Sequence, residues 1–218
     1  MDGTINIVSR RKGEEYMGNY EVLDKRLHEL LEISLKACDD LDRSDKEISN
    51  YIQSGNCRDM CRLCLNLFNI YIAISDDNLD DKEIDLVNSI VGTHFGKTEF
   101  DKIIDKAGIR KGNYDKQVPV ILRAFVDADN YEDRSAGGCP LSVTLYDLFA
   151  TSGVYVMSVD ETININEYEN VVSYLAAMYK YIKQNLKFGH SDVKKPEELI
   201  AAILSDADID VDKRKFKK

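Results

Sequence analysis

Along most of the chain, apolar residues recur at intervals of three and four, the spacing of one face of an α-helix. Leu23, Leu27, Leu30, Leu31, Leu35 and Cys38 form the first such stripe and predict a helix over 19–41. Ser44-x-x-Glu47 has the form of a capping box, opening a short helix to about Ser54 that Gly55-Asn56 ends. The next helix, 57–75, is apolar on most sides through Met60, Cys64, Leu65, Leu67, Phe68, Tyr71 and Ile72, which makes it the candidate for the bundle centre. Ile84, Val87, Ile90 and Val91 mark a helix over 81–91. Gly92 and Gly96 break it, and a shorter helix with Phe100, Ile103 and Ile104 runs to Ala107-Gly108.

Pro119 stands at the start of a helix carrying Val120, Ile121, Ala124 and Phe125, where its missing N–H does no harm. A polar stretch from Asp127 to Pro140 reads as an exposed connection. A helix over 141–158 follows, then the longest, 165–188, with Tyr168, Val171, Val172, Leu175, Met178, Tyr179, Ile182 and Leu186 on one face. Gly189 stops it, and Pro196-Glu197-Glu198 opens a last helix to about Leu204. No alternating segment of useful length interrupts the series. The pattern predicts an all-α helical bundle of about nine helices: a polar leader over 1–17, one helical domain over 18–205, and an acidic then basic tail over 206–218.

One stretch occurs twice. Asp76-Asp77-Asn78-Leu79-Asp80-Asp81-Lys82-Glu83 aligns without a gap to Asp160-Glu161-Thr162-Ile163-Asn164-Ile165-Asn166-Glu167, 84 residues later. A tyrosine precedes each by five residues (Tyr71, Tyr155), an apolar run leads in and an amphipathic run leads out. The duplication predicts two helix–acidic turn–helix units in a pseudo-twofold arrangement. Part of each turn has a plain structural meaning: Asp80-x-x-Glu83 and Asn164-x-x-Glu167 are capping boxes, and Leu79 and Ile163 sit where a hydrophobic staple is expected, facing Ile84 and Tyr168. Asp76, Asp77, Asp160 and Glu161 are not explained that way. Acids just after a helix oppose its dipole at about 0.3–1 kcal/mol each, so a favourable role must offset them. Two roles fit: hard oxygen ligands for Ca²⁺ or Mg²⁺, or an acidic patch for a basic protein partner. The spacing is not that of an EF-hand, since Asp81 or Ile165 stands at the sixth position and Val87 or Val171 at the twelfth.

Charge narrows the partners. The net charge is −10, and Lys213-Arg214-Lys215-Phe216-Lys217-Lys218 carries five positive charges of its own, so the body is more acidic still. Such a body disfavours nucleic acid. No apolar run approaches the roughly 18–20 residues of a membrane span. The first residues lack the basic and apolar regions of a secretory signal, so the chain reads as cytoplasmic with five reduced cysteines.

Other candidates for chemistry are weaker. Cys57-x-x-x-Cys61-x-x-Cys64 has the spacing of the radical-SAM iron–sulfur motif but falls in a helical pattern, and Cys139 is the one obvious fourth ligand for a zinc. Gly92-Thr93-His94-Phe95-Gly96-Lys97-Thr98 is one residue short of a phosphate-binding loop and follows a helix. His28, His94 and His190 are scattered, and Asp206-x-Asp208-x-Asp210-x-Asp212 lacks the glycine and glutamate of a calcium loop.

The repeated unit (acid, acid or Gly, any, aliphatic, Asp/Asn/Ser, any two, Glu) between an apolar and an amphipathic helix resembles the TerB-like family. That family includes the tellurite-resistance TerB protein and the central domain of a membrane-anchored J-domain co-chaperone. The resemblance spans 60–188 and is clearest over 68–91 and 149–182. It implies an all-helical pseudo-twofold domain with an acidic face for metal or partners, carried by Asp76, Asp80, Glu83, Asp160, Asn164 and Glu167. Asp77 and Glu161 stand where the family often has Gly. Related domains precede AAA-type ATPases, which implies an ATPase or chaperone component as a partner in trans. The expected function is a non-enzymatic stress-response module presenting a paired acidic surface. The alternative is an enzyme, either a metal-dependent hydrolase using the acidic turns or an iron–sulfur protein using Cys57, Cys61 and Cys64.

Overall fold

Carboxylates and small residues, more than the apolar stripes, decide how the helices meet. A computed structural model describes residues 17–44, 55–75, 79–111, 114–132, 139–158, 163, 165–187 and 192–209. These form eight α-helices: α1 (Met17–Ser44), α2 (Cys57–Ala73), α3 (Asp81–Val91), α4 (Lys97–Ala107), α5 (Val120–Glu132), α6 (Leu141–Met157), α7 (Ile165–Asn185) and α8 (Pro196–Asp206). Short 3₁₀ turns at Ile109–Lys111 and Tyr114–Lys116 join α4 to α5. No strand is present among the described residues, and no helix there is long and apolar enough to cross a membrane. The ninth helix expected over 44–54 lies outside the described residues beyond Ser44 until Gly55, as do the leader through 16 and the tail from 210.

The expected α2 centre gives way to α6. Every residue from Leu148 to Met157 is buried, and α6 packs against α1, α2, α3, α5, α7 and α8. Its Ser142, Thr151, Ser152 and Gly153 are what disguise it in the sequence, because they read as polar interruptions. In place they are small residues that let neighbouring helices approach. A Cβ added at Gly153 would lie 2.9 Å from Val171 Cγ1 of α7 and 3.2 Å from Phe68 Cζ of α2. Beside this contact the Ser152 hydroxyl donates to Asn69 Oδ1 at 2.7 Å. Around the crossing, the rings of Phe68, Phe149 and Tyr174 pack with centroids 4.7–6.1 Å apart, and Tyr114 extends the cluster at 5.6 Å from Tyr174. Buried side chains from all eight helices join one apolar cluster.

Two further lengths differ from expectation. The longest helix is α1, with 28 residues, not α7, with 21. α7 stops at Asn185 because Asn130 clamps its end, donating from Nδ2 to the Asn185 carbonyl and accepting from the Lys187 amide, both at 2.8 Å. The exposed connection expected from Asp127 starts too early, for α5 continues to Glu132. Asp129 is buried and is the reason: its carboxylate accepts from the Leu141 and Ser142 amides, each at 2.9 Å, and from the Ser142 hydroxyl at 2.6 Å. An acid late in α5 thus caps the start of α6, the next helix along the chain. α1 does the same for α2, where the two oxygens of Asp42 accept from the Cys57 amide at 3.1 and 3.0 Å.

Two substitutions test this account by urea unfolding. Asp129→Ala strands three donors at the start of α6 and should cost about 2–4 kcal/mol. Gly153→Ala forces α2 and α7 from α6 and should cost about 1–3 kcal/mol. A change within 0.5 kcal/mol in either variant, about the scale of an unremarkable surface substitution, would contradict the corresponding contact.

Candidate functional site

The first acidic turn leaves α2 through Ile74 and Ser75 and enters α3 at Asp80. The Asp80 carboxylate accepts from the Lys82 amide at 2.8 Å and the Glu83 amide at 2.9 Å, and Glu83 Oε2 accepts from the Asp80 amide at 2.7 Å. This is the expected capping box, and it gives both acids a structural duty. Leu79 and Ile84 are both buried, as a staple requires. From the first residue of α4, Lys97 Nζ donates to the Leu79 carbonyl at 3.1 Å and ties the turn down.

The second turn leaves α6 through Ser158, whose carbonyl accepts from the Tyr20 hydroxyl of α1. It reaches the buried Ile163 and then α7, which carries Glu167 in its first turn. Asp76, Asp77, Asp160, Glu161 and Asn164 lie outside the described residues, and so does the second capping box as a whole. Of the eight predicted site residues, Asp80 and Glu83 are brought together by the cap, and Glu167 stands half-buried at the head of α7. The two tyrosines that precede the turns anchor each unit to a neighbour. Tyr71 donates to Asn170 Oδ1 of α7 at 3.0 Å, and Tyr155 sits beside Asp24 of α1. Burial first, and then a nearby acid, pushes both phenols up to about 12.

The segment resembling a phosphate loop is a helix connection. Gly92 ends α3 in the left-handed conformation, at φ 71°, and Gly96 precedes α4. Between them Asn88 holds the loop: its Oδ1 accepts from the Thr93 hydroxyl at 2.8 Å and the Phe95 amide at 2.9 Å, and its Nδ2 donates to the Phe95 carbonyl at 2.8 Å. The Phe95 amide is thereby committed inside the protein, and Lys97 turns to Leu79.

The cysteine trio is divided between two surroundings. Cys57 and Cys61 face α1, where the Cys38 thiol lies beside Cys61 and Asp42 lies beside Cys57. Cys64 instead meets the backbone of Val120 and Ile121 at the start of α5. Cys139, the candidate fourth ligand, is exposed before α6. Among the described residues no group of three or more His, Cys, Asp or Glu is arranged to hold a metal ion. His28 and His94 are exposed, with the His28 ring against the Asp24 carbonyl one turn earlier at 2.8 Å; His190 lies outside the described residues. Asp206 pairs with Arg26 at 3.1 Å, Asp208 takes a left-handed φ of 52°, and Asp210 and Asp212 lie outside the described residues.

No protein-family model, curated protein or solved structure matches the chain.

The interhelical acids Asp42 and Asp129 escaped the sequence reading. A signal for Asp129 existed: it falls four residues after Phe125, on the apolar stripe of α5, where a solvated acid has no place.

The thiols carry a pH dependence. Burial pushes Cys64 up to about 11, and burial with help from Asp42 pushes Cys57 up to about 12. Unfolded thiols ionise near 9.0, so above that pH the unfolded chain loses protons that the native chain keeps. Stability from these groups is full below about pH 9 and is lost as pH rises through 11 to 12. The urea midpoint should hold steady from about pH 7 to 8.5 and fall above about 9; a midpoint that rises there would refute the assignment.

Proposed function

We propose that this chain is a non-enzymatic, TerB-like helical module of the cytoplasm that presents two acidic turns to a basic protein partner. The observation that carries the reading is the matched geometry of the two units. α2 and α6 begin at Cys57 and Leu141 and end at Ala73 and Met157, while α3 and α7 begin at Asp81 and Ile165, so each pair is offset by the same 84 residues as the acidic turns. The central contacts respect that offset: Phe68 meets Gly153 and Asn69 meets Ser152, so each contact becomes the other when the two units are exchanged. The caps respect it in kind, with Asp42 of α1 serving α2 and Asp129 of α5 serving α6.

This supports a pseudo-twofold duplication running α1–α4 and α5–α8, with the segment over 44–54 as a ninth helix, within one domain over 18–205. The same duplication is what the TerB-like resemblance implies. Under it, Asp76, Asp77, Asp160 and Glu161 form the docking acids, with Ca²⁺ or Mg²⁺ as an accessory ligand of the turns. An AAA-type ATPase or a chaperone component supplies the basic surface in trans, in a tellurite or other stress response.

The capping acids and the docking acids are separable by experiment. Reversing Asp76 and Asp77 together with Asp160 and Glu161 to lysine should abolish capture of the partner in a pull-down while leaving the helical circular dichroism intact. Asp80→Ala should instead lower stability by about 0.5–2 kcal/mol and leave capture intact. Undiminished capture by the charge-reversed chain would sink the proposal.

A further inference from the structure

A cleft of about 530 Å³ opens where α1, α6, α8 and the segment leading into α8 meet, within the roughly 300–1,000 Å³ of small-molecule sites. Val143, Val193, Leu199 and Ala202 give it an apolar lining. Charged groups from four segments stand around that lining: Arg26 of α1, Asp147 of α6, Asp192 and Lys194 of the segment leading into α8, and Asp206 of α8. Arg26 is held by Asp206 at 3.1 Å. The Tyr146 hydroxyl donates to the Lys194 carbonyl at 3.3 Å and fixes the backbone that carries the lysine.

Asp147 and Lys194 are the unusual pair. Asp147 is half-buried, and its carboxyl is pushed up by burial against the opposing pull of Arg26 and Lys194. The Asp147 carboxylate and the Lys194 ammonium feel each other's charge, yet no hydrogen bond or close ion pair joins them among the described residues. An anion and a cation thus face one cleft without closing on each other, above an apolar surface. A lone cation in the cleft would satisfy Asp147 but leave Lys194 unmatched, since Asp206 is taken up by Arg26 and Asp192 is engaged within the protein. A lone anion would meet Asp147. A peptide terminus brings one of the two charges. A small molecule bearing both charged groups on one carbon, with an apolar group attached, complements all three features.

We propose that this cleft binds a free α-amino acid with an apolar side chain, its ammonium on Asp147, its carboxylate on Lys194, and its side chain against Val143 and Leu199. The site lies along the first half of α6, whereas the second acidic turn follows that helix's last residue, so it stands independently of the docking reading.

Calorimetric titration of the full chain with L-phenylalanine tests it. Saturable binding is expected, with N-acetyl-L-phenylalanine, which lacks the cation, and phenethylamine, which lacks the anion, each at least about tenfold weaker. Asp147→Asn and Lys194→Met should each weaken L-phenylalanine by about tenfold or more with circular dichroism unchanged. Lys194 is exposed, so its variant keeps the test decisive even where Asp147→Asn fails to fold. No saturation by L-phenylalanine or L-leucine up to their solubility limits would overturn the proposal. So would phenethylamine or the N-acetyl compound binding as tightly as the amino acid.

Discussion

The close crossing of α2 and α6 is the contact on which the rest of the structure depends. It requires a residue without a side chain at Gly153, because Phe68 from one side and Val171 from the other already occupy the space a Cβ would take. It requires a polar pair at its centre, Ser152 with Asn69, both fully buried. A buried hydroxyl and amide contribute little net stability when paired, yet cost about 1–3 kcal/mol each when parted. Sliding α2 by one turn along α6 would part them. The polar pair therefore penalises every register but one, while the surrounding rings of Phe68, Phe149 and Tyr174 supply the apolar burial that makes the crossing favourable at all.

From that crossing the outer helices are set by carboxylates at helix starts. Asp42, Asp80 and Asp129 each satisfy amides that an α-helix leaves without partners in its first turn. Two of the three reach from a different helix. Such a cap fixes the distance between α1 and α2, and between α5 and α6, as well as ending one helix's deficit. Arg26 to Asp206 and Tyr20 to Ser158 then tie α1 to α8 and to the end of α6. A protein with an acidic excess has spent part of that excess on its own backbone.

Much of this was legible in the sequence. The starts of α3 and α7 were written in the capping pattern and the apolar phase, and the structure begins them at Asp81 and Ile165. The breaks at Gly92 and Gly108 are the left-handed turns that glycine permits. What periodicity hides is which helix is central. A helix surrounded on all sides by close neighbours needs small residues, and Ser152 and Gly153 weaken the very apolar signal by which a buried helix is sought. Asp129 was hidden for a related reason, since an acid is read as solvated until the amides it serves are seen. The cleft around Asp147 could not be read at all, because its walls come from segments separated by more than a hundred residues.

The capping geometry also sharpens what remains to be explained about the acidic turns. Asp80 and Glu83 are occupied by backbone amides, so their charge is partly neutralised by the positive end of α3. By sequence distance, Asp76 and Asp77 stand midway between the end of α2 at Ala73 and the cap at Asp80. The negative end of one helix and the positive end of the next act on them with opposite sign, and both effects fade within a turn. Helix energetics is thus close to indifferent to these acids, neither demanding nor strongly opposing them. The same balance applies to Asp160 and Glu161, which stand at matching distances from Met157 and Ile165. Helix energetics therefore gives no account of why acids stand at both places, and the proposed docking role is the reading that gives their charge a use.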